Sequence, residues 1–307
     1  MRSGSRTSPW LLALLAALAP ACGGERTIVL GDVVPRPYHF DVPRPVAELM
    51  SDTKSDNPTL TADLLEIVFT SERVSGNSDI WTARRSDPSR RFNPPTAIAE
   101  LNQATFETSS AISADGLTLW FGSDRPGGVG LTDIWVSGRA TRTGAWSTPV
   151  NVVGLNTVGD DIPRPPGQHG LVMPLASTVL TPINYQTFLS ARPGQGAPFG
   201  KPAVIGELAH TERSTVDAFL TDDGLTLFYA SAPNVLPTDA GAGPTSDLFV
   251  AWRRSTSEEF DFTQPLDDLN TAADERDPWL TPDGRTLYFT SDRDGVLSIY
   301  TAAVKPR

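Results

Sequence analysis

The stretch LTPDGRTLYFTSDR at residues 280–293 has a blurred copy, LTADLLEIVFTSER, at residues 60–73, and the match extends without a gap over residues 40–73 and 260–293. Two further copies stand between them, FNPPTAIAELNQATFETSSAISADGLTLWFGSDR at 92–125 and FGKPAVIGELAHTERSTVDAFLTDDGLTLFYAS at 199–231. A degenerate fifth begins with WSTPVNVVGLNTVGDDIPRP at 146–165, where GQHG replaces the Asp-Gly pair. Self-similarity at a period of about 50 residues means an array or a propeller, because one such unit cannot bury its apolar surface alone.

Each copy carries the marks of short strands. In PWLTPDGRTLYFTSD the residues alternate on either side of an Asp-Gly pair, which predicts a hairpin with a type I′ turn and gives Gly116, Gly224 and Gly284 a backbone role. A third strand follows in SDIWTARR, TDIWVSGR, SDLFVAWRR and LSIYTAAV, placing Trp81, Trp135, Phe249 and Tyr300 in one column that reads as packing between adjacent units. PVAEL, TAIAEL, PVNVVGL, AVIGEL and PLDDL supply a fourth strand. The first of these, Pro45 to Leu49, precedes the first hairpin, whereas the last unit stops after its third strand. The expectation is an all-β fold: a propeller of five four-stranded blades in which the N-terminal strand completes the last blade and leaves no open edge. The repeats fall near 40–91, 92–145, 146–198, 199–259 and 260–307.

The segments SADGLTLWFGSDRPGGVGLTDIW (113–135) and TPDGRTLYFTSDRDGVLSIY (281–300) resemble the WD40-like β-propeller repeat of TolB-type proteins, whose pattern runs Ser-Pro-Asp-Gly, hairpin, Ser-Asp-Arg, then Asp-Ile-Trp or Tyr. The resemblance covers about residues 40–304 and is specific for fold rather than activity. It implies a periplasmic or cell-surface propeller that binds a protein partner. A partial likeness of SADGLTLW to the Asp-box of sialidases fails at the motif, since the glycine follows Asp115 directly.

The amino terminus reads as an address. Residues 1–21 place Arg2 and Arg6 ahead of a short apolar core, the layout of an export signal. They run into the only cysteine of the chain, and LAPAC resembles a bacterial lipobox in which Cys22 would be lipidated. Gly23 after it fits the pattern of an outer-membrane lipoprotein facing the periplasm or the cell surface, and residues 22–39 would form a Pro/Gly-rich tether. The only membrane contact expected is this lipid anchor. Without Arg2 and Arg6 the chain has 23 basic against 36 acidic residues, a net charge of −13 that repels nucleic acid.

Chemistry is sought where propellers hold ligands, at the channel mouth where the innermost strands begin: near Asn57, Ser109, Ile162, Asp217 and Asp277, with Asp56, Glu107, Asp160 and Asp161 just before them. The candidate ligand rim is Asp56, Asn57, Glu107, Asp161, Asp217 and Asp277. Two readings follow. Such Asp residues beside Pro stabilise turns, leaving a non-enzymatic scaffold that binds an envelope protein or polysaccharide as a monomer; or paired carboxyl groups act in a carbohydrate-active hydrolase. No catalytic residue, metal or cofactor is assigned: His39, His169 and His210 lack zinc-ligand spacing, and no Gly-x-Ser-x-Gly or phosphate loop occurs. The repeated SDR and SER triplets (123–125, 291–293, 71–73) read as Asp–Arg contacts that order loops. Two departures, the long loop 232–247 and the degenerate third unit, are where individuality would lie.

Overall fold

In the computed structural model, which describes residues 38–74, 76–181, 184–233 and 245–306, the chain forms five four-stranded antiparallel sheets arranged as a propeller. The leader, Cys22 and the tether lie outside the described residues, as does most of the loop 232–247. The chain opens with β1 (Arg44–Pro45), and the first blade holds β2 (Ser55–Leu60), β3 (Glu66–Ser71), β4 (Asp79–Arg84) and β5 (Thr96–Ala97). The second holds β6 (Glu107–Ile112), β7 (Thr118–Ser123), β8 (Asp133–Gly138) and β9 (Val150–Asn151). In the third are β10 (Asp161–Pro163), β11 (Val172–Ser177), β12 (Gln186–Ala191) and β13 (Ala203–Val204). The fourth has β14 (Arg213–Leu220), β15 (Thr226–Pro233), β16 (Asp247–Trp252) and β17 (Phe262–Pro265). The fifth has β18 (Glu275–Leu280), β19 (Thr286–Ser291) and β20 (Ser298–Ala303), completed by β1.

That closure is the one the phase of the repeat requires, with Arg44 opposite Thr301 and Pro45 opposite Tyr300. The strand is shorter than the Pro45–Leu49 segment expected: Val46 donates its N–H to the Ile299 carbonyl, and Ala47–Leu49 then curl into a 3-10 turn. Phe40 extends the seam by bridging to Val304.

The core lies between blades. Phe69 and Trp81 of blade one pack with Trp279 and Tyr288 of blade five; Val68 and Ile80 pack with Leu119 and Phe121 of blade two; and Phe228 and Leu248 of blade four meet Leu287 and Phe289 of blade five. Apolar surface is removed from water only when neighbours stack, so the ring folds as a unit.

The Asp-Gly turns differ from the type I′ expectation. Gly116, Gly224 and Gly284 have φ of 74°, 69° and 68°, but the Asp before each does not have positive φ, and the glycine N–H bonds back to Ser113, Thr221 or Thr281. This is a type I turn closed by one left-handed residue, which needs a single positive φ. In blade one Leu64 takes the left-handed position at φ 61°. The replaced turn of blade three is the one with positive φ at both central residues, Gln168 and His169.

Arginines lock these turns. Arg85, Arg139, Arg192 and Arg253 each donate Nε to the carbonyl of the left-handed residue (Leu64, Gly116, Gly170 and Gly224) at 2.7–2.8 Å. Each guanidinium lies 4.2–4.6 Å over the aromatic ring that opens the next repeat: Phe92, Trp146, Phe199 and Phe260. The SDR arginines do not pair with the adjacent Asp as the sequence suggested. Arg73, Arg125 and Arg293 reach back to the carbonyls of Leu49, Leu101 and Leu269, and cover the aromatic column at Trp81, Trp135 and Tyr300. The neighbouring Asp124 and Asp292 instead accept backbone N–H groups from Phe106 and Asp274.

A Cβ at Gly284 would meet nothing within 4 Å, so an alanine there isolates the conformational cost. Gly284→Ala is expected to destabilise by about 1 kcal/mol. Gly224→Ala, whose Cβ would fall 1.8 Å from Gln168 Nε2, should cost more; denaturant unfolding of both variants checks this.

Candidate functional site at the channel mouth

Four innermost strands carry the same defect at the same place. The pairing slips between Asp56 and Thr59, Thr108 and Ala111, Val216 and Phe219, and Arg276 and Trp279. Within each bulge one residue is left-handed: Asn57, Ser109, Asp217 and Asp277, with φ between 49° and 59°. Asn and Asp tolerate this conformation better than other side-chain-bearing residues, and a bulge re-aims the side chain it carries. The first expectation, that Asp residues here serve local turns, therefore holds only in part: these serve bulges at the axis.

Blade three breaks the pattern. Pro163 stands at the equivalent position, its ring holding φ near −65°, and β10 pairs with β11 without a slip. The next residue, Arg164, is 1% exposed and the largest fully buried side chain. Its NH1 donates to Asn57 Oδ1 at 3.1 Å and Asp277 Oδ1 at 3.3 Å, and lies 4.0 Å from Asp217 Oδ1. Asp277 Oδ2 also accepts from the Asn57 backbone N–H (3.1 Å) and Thr290 Oγ1 (2.7 Å).

Above this cluster opens a polar cavity of about 240 Å³, lined by Asp56, Asn57, Asp217 and Asp277 together with Lys54, Tyr185 and Arg276. A second cavity of about 360 Å³ is lined by the far ends of the innermost strands, with Pro165, Pro166, Phe219 and Trp279 giving it an apolar character.

Two of the six rim candidates do not reach the polar cavity. Glu107 is fully buried, holding Arg125 NH2, Ser123 Oγ and Thr105 Oγ1 at 2.8–3.0 Å, and burial pushes its carboxyl up. Asp161 is fully buried and accepts from Thr157 N and Oγ1, and burial raises it too. Both sit at the first residue of an innermost strand and are engaged away from the cavity, Glu107 by Thr105, Ser123 and Arg125 and Asp161 by Thr157. The residue that sequence reasoning missed is Arg164. Its signal was present in the degenerate copy: DIPRP puts proline where the other copies have Asn, Ser or Asp, and a base where they have Pro, Ser or Ala.

Asp217 is the most perturbed group at the mouth. Burial first, then the adjacent Asp277 carboxylate, raise it to about 7, while Arg164 and Arg276 oppose the shift. Asp277 is close enough to share a hydrogen bond with it. Glycosidase carboxyl pairs stand about 5–5.5 Å apart when retaining and about 6.5–9.5 Å when inverting; a pair in hydrogen-bond contact meets neither distance.

No protein-family model matches this chain, and no curated protein sequence matches it. Solved structures do, at low identity. TolB from Acinetobacter baumannii is 15% identical with a TM-score of 0.50, over 85% of this chain and 56% of that one. An endo-arabinase from Bacteroides thetaiotaomicron is 12% identical with a TM-score of 0.54, over 87% of this chain and 98% of that one. An α-L-arabinofuranosidase from Podospora anserina, solved with cellotriose, is 9% identical with a TM-score of 0.53, over 88% and 97%. The chain spans just over half the length of that TolB. In fold the chain is a TolB-like β-propeller, and identities this low carry the fold alone.

A carboxyl raised from about 3.9 in the unfolded chain to about 7 here favours the fold while protonated. That contribution is complete below about pH 4 and is lost as pH rises through 7. Asp217→Asn, a residue already used at this position in blade one, should flatten the loss and leave the variant more stable than the parent at pH 8, by on the order of 1–2 kcal/mol. Unfolding followed from pH 4 to 8 reads this directly.

Proposed function

We propose that this protein is a non-enzymatic binding module of a bacterial cell envelope, exported, held to the outer membrane through lipidated Cys22, and engaging a protein partner at one face of its ring. The observation that carries the reading is a patch of exposed apolar side chains beside the polar cavity. Val129 and Leu131 on the β7–β8 loop, Val158 on the β9–β10 loop, and Val179 and Leu180 on the β11–β12 loop are 43–80% exposed. Hydrogen bonds join these loops, Leu131 N to the Gly159 carbonyl (3.0 Å) and Asp160 N to Thr178 Oγ1 (2.8 Å), so the residues form one surface. Gly130 and Gly159 allow the close approach: a Cβ at either would fall within 2.5 Å of the neighbouring loop. Contiguous exposed apolar surface on a rigid, polar-rimmed scaffold marks an interaction site.

The TolB-like fold supports the envelope setting, and the anchorage to Cys22 rests on the resemblance of LAPAC to a lipobox. The hydrolase reading has the arabinan-acting fold neighbours on its side, but the contact between Asp217 and Asp277 and the occupation of Asp277 by Arg164, Asn57 and Thr290 speak against it. A polysaccharide partner is less well served than a protein by a surface of Val and Leu.

Two measurements test the proposal. In envelope extracts the parent chain should capture a defined protein, and Leu131→Asp with Val158→Asp should weaken that capture at least tenfold with unchanged unfolding behaviour. Retained capture by the double variant, or turnover of an aryl arabinofuranoside that Asp277→Asn abolishes, would overturn the reading. Separately, Cys22→Ser should release the protein from the membrane fraction and end labelling by a palmitate analogue; persistence of either refutes the anchor.

A further inference from the structure

Each cation at the polar mouth has a carboxylate partner, although Arg164 Nε and NH2 and Arg276 Nε are buried without a hydrogen bond. Lys54 Nζ lies 2.8 Å from Asp56 Oδ2, Arg276 pairs with Asp274, and Arg164 NH1 lies 3.3 Å from Asp277 Oδ1. The carboxylate left over is Asp217. Its nearest cation is that same Arg164 NH1 at 4.0 Å, already shared with Asp277 and Asn57, and among the described residues no basic or hydroxyl side chain donates a hydrogen bond to it. Its side chain is 7% exposed, and the residue lines the cavity. Protonated, Asp217 shares a hydrogen bond with Asp277; ionised, it has beside it only the shared Arg164 and the like-charged Asp277, a cost that a counter-ion brought in from outside relieves.

The rest of the cavity suits an organic cation. Tyr185 and Phe106 are among its lining residues, and a cation near an aromatic face is attracted to it. A metal is less well provided for: among the described residues no group of three or more His, Cys, Asp and Glu could hold one, and both oxygens of Asp277 are occupied. At about 240 Å³ the space falls below the roughly 300 Å³ at which pockets for drug-sized ligands begin, a fit for one side chain rather than a sugar oligomer. We infer that the cavity receives a lysine or arginine side chain of the protein partner, with Asp217 as its counter-ion. This rests on the protein-binding reading above and names what the partner contributes.

The charged and titratable groups facing Asp217 are Asp277 and Arg276 from blade five, Arg164 following β10, Tyr185 ahead of β12, and the Lys54–Asp56 pair of blade one. Binding of the cation requires Asp217 ionised, its proton leaving to solvent. With the carboxyl at about 7, the apparent affinity should fall about tenfold between pH 8 and pH 6.

The test uses the full-length chain in detergent with labelled threonine methyls, reading Thr108 and Thr132 of the cavity lining. At pH 8, n-butylammonium should shift both signals saturably, with half-saturation about tenfold higher at pH 6 and at least tenfold higher in Asp217→Asn and Asp217→Ser. These replacements copy Asn57 and Ser109 at the matching positions, so the bulge is kept. Absence of a saturable shift at pH 8, an equal response to n-butanol, an undiminished response in the variants, or a stronger response to calcium ions would each overturn the inference. The Leu131→Asp, Val158→Asp chain should still bind n-butylammonium, so failure of the apolar face and failure of the cavity register separately.

Discussion

Five innermost strands converge on one axis, and the charged groups held there, Asp56, Arg164, Asp217 and Asp277, are 1–5% exposed. Buried charge is tolerable only when paired and hydrogen-bonded. A single guanidinium does part of this: Arg164 enters from blade three, bulges in blades one and five present Asn57 and Asp277 to its NH1, and its Nε and NH2 are left without hydrogen bonds. Its neighbour Pro165 already belongs to the apolar cavity, so the arginine separates a polar mouth from an apolar one. The asymmetry of the ring ends follows from one residue whose place depends on a proline that cannot adopt a left-handed φ.

The order of the ring was legible because it is written in copies. Five copies at a period of about 50 residues, the aromatic column, and a spare outer strand at the front against a missing one at the back together required closure through the first strand, and β1 on β20 supplies it. What failed to read was local. The Asp-Gly dipeptide is shared by the mirror-image turn and by the type I turn with one left-handed residue, and only backbone angles separate them. The SDR triplet looked self-contained, yet its arginine serves the carbonyl of a leucine 24 residues earlier.

The candidate site was legible by position and only partly by identity. Asp56, Asn57, Asp217 and Asp277 line the polar cavity as placed from the alignment of copies, whereas Glu107 and Asp161 lie at the strand's first residue and face Arg125 or Thr157. A shift of two positions along a strand that then bulges is beyond period-two reasoning, since the bulge resets which side faces the axis. Arg164 sits in the copy that shares least with the others, at a position where they have Pro, Ser or Ala, so the pattern the copies share carries no signal for it.

A fold that serves both TolB and arabinan-acting enzymes does not fix the chemistry, so the decision passes to the axis. Hydrolysis of a glycoside needs two carboxyl groups free to move protons and separated by the width of the reacting centre. Here Asp277 is engaged by Arg164, Asn57 and Thr290, and Asp217 is pressed against it, half-neutral near pH 7. The buried Arg164 lies beneath a small polar cavity in which Asp217 shares a proton with Asp277 near pH 7, set beside an apolar surface on three joined loops. On the proposed reading, the apolar area would supply affinity and the charged socket would fix the register of the partner's basic side chain.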